Sequence, residues 1–360
     1  MKKTEVLIIG AGPAGLSAAM QVLNAGLSVT LIDRSEKVGG QLTKQTHMFF
    51  GSEKQYASKR GIDILDILFD KIKDNKNLTV IQEATVVSMY SDRVIAYVKD
   101  DKYTKLQADA IIIATGASEK TLPFENNDLP GVYAAGAVQT LMNVYGVKPG
   151  DRVVMVGSGN IGLIVSYQLM QAGVKVPMLL EAADTIGGYL VHASKIRRLG
   201  VDLRMKTSVK RAIGETEVEA AEIWQLDDNW QGIEGTEEIV PCDTICLSVG
   251  LAPLTELLQQ AGAEVIYVQE LGGFVPKINK SYQTTLKHVY ACGDVAGIEE
   301  ASSAMISGEL AGLSLLKDLG KAPLDYDKIT ANLRKDLDHL RDGPHGEKIR
   351  KGLTKLGVNL

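Results

Sequence analysis

The sequence has 360 residues, which is enough for about two domains. Its 39 Lys+Arg and 44 Asp+Glu residues leave a formal net charge of −5, so we expect no nucleic-acid partner, which would need a basic surface. Hydrophobic residues make up 45% of the chain, yet no stretch approaches the roughly 18 consecutive apolar residues of a membrane span. The first residues lead directly into a strand-like run without a cleavage-site pattern, so we expect no signal peptide and a cytoplasmic location.

The first predicted elements are a strand, a glycine-rich turn, a helix and a second strand. Residues 6–9 are continuously apolar, which is typical of a buried parallel strand, and residues 16–23 have helical composition. The second strand, at residues 28–32, ends at Asp33, and Arg34 follows it. The turn between the first strand and the helix has the pattern GxGxxG and contains Gly10, Gly12, Pro13, Ala14 and Gly15. Farther on, a buried strand at residues 109–113 runs into Ala114, Thr115 and Gly116.

The same order of elements occurs a second time. A strand at residues 152–156 precedes another glycine-rich turn, and a helix over residues 163–171 leads to a strand that ends at Glu181. A closing apolar strand ends at Gly250. The second turn contains Gly157, Gly159, Asn160, Ile161 and Gly162. One GxGxxG is weak evidence, whereas two in matched contexts within one chain are strong evidence.

Each turn has the chemistry of a dinucleotide-binding turn. Its first glycine allows a tight turn, its second lets the backbone approach a pyrophosphate, and its third lets helix and strand pack closely. Asp33 and Glu181 each lie about 20 residues beyond their turn, where a carboxylate accepts hydrogen bonds from a ribose. The alternative is a strand–helix–strand unit that keeps its glycines for packing alone.

The residues around Glu181 favour NADH over NADPH. A carboxylate there would repel a 2′-phosphate, and the next two residues, Ala182 and Ala183, supply no arginine to bind one. Pro177 lies inside the strand that leads to Glu181, and it removes a backbone donor, so we predict a bulge or a shortened strand.

A third motif, at residues 289–294, ends in Gly293 and Asp294 and precedes a helix rich in alanine and serine. With both turns, it makes residues 5–318 resemble the pyridine nucleotide–disulfide oxidoreductases, which bind FAD on the first unit and a nicotinamide nucleotide on the second. The resemblance implies that Asp294 contacts the FAD ribityl chain and that Glu300 and Ala301 lie at the flavin. It also implies that the loop containing Gly40 and Gln41 wraps the FAD pyrophosphate, and that residues 114–116 form a crossover between domains. The second turn, Glu181 and Gly250 would bind NAD.

The redox dithiol of that family is missing from this sequence. The three cysteines, Cys242, Cys246 and Cys292, include no Cys-x-x-Cys pair, and we interpret them as small core residues. We therefore expect neither disulfide reductase chemistry nor a four-thiolate iron–sulfur site, and we predict no metal site.

Residues 129–140, 145–150 and 294–301 more closely resemble the flavoprotein subunits of multi-subunit amine and amino-acid dehydrogenases. Those subunits include the sarcosine oxidase α, opine and hydroxyproline dehydrogenase and hydrogen cyanide synthase types. The resemblance implies a small-molecule or protein electron acceptor, and either a homodimer or a place in a hetero-oligomer. Many of those proteins continue into a cysteine-rich [2Fe-2S] domain, but residues 320–360 contain no cysteine.

We therefore predict an α/β fold of two Rossmann-like domains, with the NAD(P) domain inserted into the FAD domain. The FAD domain takes residues 1–121 and 252–320, the NAD(P) domain takes residues 122–251, and residues 321–360 form a charged helical tail. The predicted function is an FAD-dependent oxidoreductase that passes hydride from NADH through flavin to an unidentified acceptor. The alternatives are a subunit of an amine or amino-acid dehydrogenase, and a nucleotide-binding subunit without hydride transfer at the second site.

No catalytic residue follows from the motifs. Lys44 and His47, which come after the Gly40 loop, are weak candidates for a proton donor or for a charge that tunes the flavin. The alternative interpretation is an ordinary surface loop.

Overall fold

The computed structural model describes residues 1–49 and 52–358. Within them the chain forms two compact units. The first unit contains residues 1–118 and 252–360, and the second contains residues 119–251.

Strands and α-helices alternate over residues 2–81 and 132–204, whereas residues 78–134 and 202–253 contain successive strands. The strands are β1 (Lys2–Ile9), β2 (Val29–Ile32), β3 (Leu78–Ile81), β4 (Thr85–Met89), β5 (Val94–Lys99), β6 (Lys102–Ile113), β7 (Ala117–Glu119), β8 (Val132–Ala134), β9 (Arg152–Val156), β10 (Lys175–Leu180), β11 (Asp202–Arg204), β12 (Thr207–Ile213), β13 (Ala220–Gln225), β14 (Glu238–Pro241), β15 (Thr244–Leu247), β16 (Leu251–Pro253), β17 (Val265–Val268), β18 (Gly273–Pro276) and β19 (Val289–Ala291). The helices are α1 (Pro13–Asn24), α2 (Gly61–Asp70), α3 (Ala135–Asn143), α4 (Asn160–Gln171), α5 (Leu190–Arg198), α6 (Glu256–Gln260), α7 (Ala301–Asp318), α8 (Tyr326–Leu340) and α9 (Gly343–Lys355).

The first unit is built on a sheet with the strand order β3-β2-β1-β6-β5-β4, and β19 also pairs with β6. Strands β3, β2, β1, β6 and β19 are parallel, whereas β4 and β5 are antiparallel additions. Val6 and Ile8 point to one face, where α1, α2 and α7 pack, and Leu7 and Ile9 point to the other. This burial on both faces explains why residues 6–9 are continuously apolar.

Helices α1 and α7 pack so closely that their backbones are nearly in contact. A Cβ atom on Gly308 would lie 2.1 Å from the Ala14 carbonyl oxygen, and one on Gly312 would lie 2.9 Å from the Ala18 carbonyl oxygen. The alanine, serine and glycine content of α7 therefore allows this close packing.

The second unit repeats the parallel plan with the strand order β11-β10-β9-β15-β8. A three-stranded antiparallel sheet, β12-β13-β14, belongs to the same unit. The pairing of β10 with β9 shifts register between Lys175 and Met178, so the bulge predicted at Pro177 is confirmed. Proline causes it because it has no N–H to donate to the neighbouring strand.

The C-terminal segment, expected as a charged helical tail, forms α8 and α9 against the first unit. Leu337 of α8 packs against α7, and Leu353 of α9 joins the core on the other face of the large sheet. In the part of the chain that the structure describes, no helix is long and apolar enough to cross a membrane.

Candidate functional site

The first unit places the GxGxxG turn where β1 ends and α1 begins, and two of its glycines are required by the fold itself. Gly10 has φ +104°, and a Cβ atom on it would lie 2.2 Å from the Ala114 carbonyl oxygen. A Cβ atom on Gly15 would lie 1.9 Å from the Gly10 carbonyl oxygen. Gly12 is different, because it has φ −75° and the atom nearest to its Cβ position is the Gly40 Cα at 3.9 Å. The fold leaves room at Gly12 that a ligand can use.

The Asp33 carboxylate is fixed beside this turn. Its Oδ2 accepts the Ala11 N–H at 2.7 Å, and its Oδ1 accepts the Ser35 N–H at 2.8 Å. A carboxylate has about four acceptor positions, so two remain for the hydroxyls of a ribose. The Gly39 N–H donates to the Ala11 carbonyl at 2.7 Å, which holds the paired-glycine loop against the turn. Arg34 and Gln41 are exposed beside these groups.

The end of β19 brings Gly293 and Asp294 to the same region. Gly293 has φ +70°, and a Cβ atom on it would lie 2.8 Å from the Ala14 Cβ. Asp294 is partly exposed as a residue, but burial of its carboxyl group raises the pKa to about 7, and the Glu299 N–H is 3.5 Å from its Oδ1. Glu300 then precedes the first residue of α7, Ala301. The structure thus places the third motif beside α1.

An arginine that the sequence did not indicate joins this site from the C-terminal segment. Arg341 donates from Nη2 to Glu299 Oε1 at 2.6 Å and from Nε to Glu299 Oε2 at 2.9 Å. The Arg341 side chain is buried and that of Glu299 mostly so, with 6% and 15% exposure, and both lie beside the partly buried Tyr282. Asp294, Glu299, Tyr282 and Arg341 line a cavity of about 20 Å³, which has room for one water molecule.

The second unit reproduces the turn of the first. Gly157 has φ +103°, and a Cβ atom on it would lie 2.2 Å from the Ser248 carbonyl oxygen. A Cβ atom on Gly162 would lie 2.1 Å from the Gly157 carbonyl oxygen. Gly159 has φ −62° and nothing within 4 Å of its Cβ position, so the second glycine is again the open one. The turn leads into α4 through Asn160 and the exposed Ile161, and Gly250, with φ +111°, follows β15.

Glu181 occupies the position that Asp33 has in the first unit. Its Oε2 accepts the N–H of Ser158 at 2.9 Å and also the Ser158 hydroxyl, and its Oε1 accepts the Ala183 N–H at 2.9 Å. Three of about four acceptor positions are therefore in use, one more than at Asp33. The additional donor is the Ser158 hydroxyl, which has no counterpart at Ala11.

The other residues predicted for the FAD site, together with Lys44 and His47, belong to the first unit. Thr115 donates its hydroxyl to the Leu254 carbonyl at 2.9 Å, and Gly116 has φ +73°. Lys44 ends the short 3₁₀ helix that begins at Gly40, and His47 is partly buried and stacks on Phe49 with ring centroids 5.8 Å apart. A catalytic role for Lys44 or His47 stays a prediction.

The three cysteines are buried and free. Burial raises the pKa of Cys242 and Cys292 to about 12, and it raises that of Cys246 as well. The raised pKa favours the protonated thiol over the reactive thiolate at neutral pH. Among residues 1–49 and 52–358, no group of three or more His, Cys, Asp or Glu side chains is arranged to hold a metal ion.

Two glycine turns, each with a carboxylate fixed beside it on a parallel sheet, define an α/β protein of the two-dinucleotide class. The family model "Pyridine nucleotide-disulphide oxidoreductase" matches residues 4–308, and the chain belongs to this family. The predicted family and fold class are confirmed, and the protein is a flavoprotein oxidoreductase by family.

Curated relatives are similar over most of this chain. An opine oxidase subunit from Rhizobium meliloti is 28% identical over 88% of this chain and 63% of its own length. The hydrogen cyanide synthase protein HcnB from Pseudomonas protegens is 26% identical over 87% of this chain and 70% of its own length. The alpha chain of sarcosine oxidase from Corynebacterium sp. is 25% identical over 86% of this chain and 32% of its own length. The chain thus spans less than two thirds of the opine oxidase protein.

Solved structures share the fold. Thioredoxin reductase from T. acidophilum superposes with a TM-score of 0.72 at 22% identity, covering 89% of this chain and 99% of that chain. L-proline dehydrogenase from P. horikoshii gives a TM-score of 0.70 at 24% identity, covering 92% of this chain and 59% of that chain.

The cysteine environment predicts a lack of thiol reactivity. At pH 8 a thiol-specific reagent should leave Cys242, Cys246 and Cys292 unmodified in the native protein, because their pKa values lie well above that pH. The same reagent should modify all three after unfolding in urea, which is the control. Rapid modification of a native cysteine would contradict this arrangement.

The buried ion pair predicts a stability effect. Arg341→Met should lower the free energy of unfolding by about 3 kcal/mol, because the Glu299 carboxylate is left buried without its partner. The exposed pair Lys351–Glu347 provides the control, and Lys351→Met should change stability by less than about 0.5 kcal/mol. Urea unfolding monitored by circular dichroism measures both. Equal free energies of unfolding for the two variants would show that the buried Arg341–Glu299 pair stabilises the fold no more than an exposed ion pair does.

Proposed function

We propose that the protein is an FAD-dependent oxidoreductase that takes hydride from NADH and passes electrons to a separate acceptor. FAD is assigned to the first unit, within the predicted segments 1–121 and 252–320, and NADH to the second, within residues 122–251. The observation that supports this most is the duplicated arrangement: an open second glycine with a carboxylate fixed beside the turn. The proposal includes a cytoplasmic location and assembly either as a homodimer or as a subunit of a hetero-oligomer.

The residues of the first unit fit FAD. The open space at Gly12 suits a pyrophosphate, and the two unused acceptor positions of Asp33 suit the ribose of the adenosine. Asp294 would accept a hydroxyl of the ribityl chain. The unpaired N–H groups at the start of α7 would face the flavin and favour negative charge there. Bound FAD would supply the hydride-accepting ring, and the protein's part is to orient it and to stabilise that charge.

The residues of the second unit fit NADH better than NADPH. Glu181 would accept a ribose hydroxyl, and its negative charge would repel a 2′-phosphate. The exposed acid Asp184 follows shortly after Glu181, and no arginine or lysine occurs between them. Because Ser158 already uses part of the Glu181 carboxylate, we infer that this site binds its ribose through fewer hydrogen bonds than the first.

The electron acceptor is proposed to be a separate molecule. The three cysteines are buried and burial raises their pKa values, so we expect no dithiol of this chain to accept electrons. The similar opine oxidase, hydrogen cyanide synthase and sarcosine oxidase chains are all named as subunits. This favours a second candidate function, a flavoprotein subunit that works with an amine- or amino-acid-oxidising chain.

Anaerobic mixing with NADH and with NADPH tests the direction of electron flow. The flavin absorption band of the purified protein should bleach with NADH, and at least about tenfold more slowly with NADPH at equal concentration, because Glu181 repels the 2′-phosphate. Reduction by dithionite in a parallel sample verifies that the flavin is competent. Binding of NADH without bleaching would instead support a nucleotide-binding role, and slow bleaching would support the role of a partner to an amine-oxidising chain.

Removal of the ribose-binding carboxylate tests the second site directly. Glu181→Ala should weaken NAD⁺ binding by roughly 10- to 100-fold, the cost of a lost hydrogen bond to a charged group. Asp184→Ala removes the neighbouring exposed carboxylate and is the matched control, with affinity close to that of the native protein. Isothermal titration with NAD⁺ gives both affinities. An unchanged affinity in Glu181→Ala would mean that the ribose contact is wrongly assigned.

A further inference from the structure

One glycine in the second unit has no role in the fold that would require glycine. Gly187 has an ordinary φ, and the nearest atom to its Cβ position is the Ser158 Oγ at 3.6 Å, which is normal van der Waals contact. Its neighbour Gly188 is different, because a Cβ atom there would lie 2.8 Å from the Asn160 backbone nitrogen. Packing therefore requires glycine at 188 but not at 187.

Gly187 shares this property with the open glycines of the two turns, Gly12 and Gly159. All three combine an ordinary φ with space for a methyl group, whereas Gly10 and Gly157 have neither. At Gly12 and Gly159 the unused space is where a pyrophosphate would approach. Gly187 is exposed to solvent, so the space beside it can likewise be used by a ligand.

The position of Gly187 supports that explanation. Residues 186–188 read Ile-Gly-Gly after Glu181, and residues 38–40 read Val-Gly-Gly after Asp33. In the second unit the Gly188 N–H donates to the Ser158 carbonyl at 2.8 Å, and in the first unit the Gly39 N–H donates to the Ala11 carbonyl. Both loops are thus held against the residue that follows the first glycine of their turn, through the first glycine of the pair in the first unit and through the second glycine in the second unit.

The Cβ direction of Gly187 leads to the open glycine of the second turn. A methyl group there would lie 3.7 Å from the Gly159 backbone nitrogen and 3.8 Å from the Gly159 Cα. It would therefore occupy the space over the backbone that a pyrophosphate must approach, while it disturbs no protein atom. The Gly187 N–H meanwhile donates to Ser158 Oγ at 2.8 Å, so the loop is fixed in this place.

We propose that residues 186–188 form a second wall of the nucleotide site, and that Gly187 keeps free the space taken by the diphosphate of NADH. This rests on the proposed function, because it assumes that the second unit binds a dinucleotide. The loop would then enclose the diphosphate at the N-terminus of α4, where a Cβ atom on Gly188 would lie 2.8 Å from the Asn160 backbone nitrogen. Gly187 acts as a positioning residue and takes no part in hydride transfer.

The test is the pair of variants Gly187→Ala and Gly188→Ala, studied as the FAD-containing protein. Affinity for NAD⁺ is measured by isothermal titration, which involves no flavin reduction, and melting temperature and FAD content are measured on the same samples. Gly187→Ala should weaken NAD⁺ binding by at least about tenfold, with a melting temperature within about 2 °C of the native protein and unchanged FAD content. Gly188→Ala should lower both the affinity and the melting temperature.

Three outcomes would overturn the proposal, and they are distinguishable. An NAD⁺ affinity of Gly187→Ala within about twofold of the native value would show that the diphosphate does not use this space. A melting temperature as low as that of Gly188→Ala would show that glycine is required for folding instead. Failure of the native protein itself to bind NAD⁺ would overturn the proposed function, and the inference about Gly187 with it.

Discussion

The hydrogen bond from the backbone N–H of the turn to an acidic side chain at the end of the next strand organises both units. In the first unit Ala11 donates to Asp33, and in the second Ser158 donates to Glu181. Each bond fixes the backbone of the glycine turn. It also holds a carboxylate beside the N-terminus of the helix that follows the turn. The turn and the carboxylate proposed to bind the ribose are therefore positioned together, and a dinucleotide would meet a site that needs little rearrangement.

The two units nevertheless differ in how much of that carboxylate they leave for a ligand. The serine hydroxyl of the second turn takes an acceptor position that the alanine of the first turn leaves open. A more fully used carboxylate is consistent with a ligand that binds and leaves, whereas the first site is enclosed further by Asp294 and α7. Under the proposed function, this difference would suit a retained FAD in the first unit and an exchangeable NADH in the second.

Much of the fold was predictable because dinucleotide turns depend on strict backbone chemistry. Gly10 and Gly157 need a positive φ and close approach, and few residue types satisfy both, so their spacing is visible in the sequence. The Pro177 bulge was predictable for a similar reason, the loss of one N–H. Arg341 was not predictable, because its partner Glu299 lies on a distant part of the chain and both look like surface residues. The loop at 186–188 was missed because paired glycines are common in loops, and only the coordinates show which of the two has free space beside it.

The close packing of α1 against α7 has a consequence for how the protein is made. The two helices come from opposite ends of the chain, and Gly308 lies directly against the Ala14 backbone. While the chain is being synthesised, α1 has no such neighbour, and the sheet also lacks β19. If the first unit binds FAD as proposed, its site would accordingly be complete only once residues 289–318 have been synthesised, and a translation product that stops before them should lack the flavin.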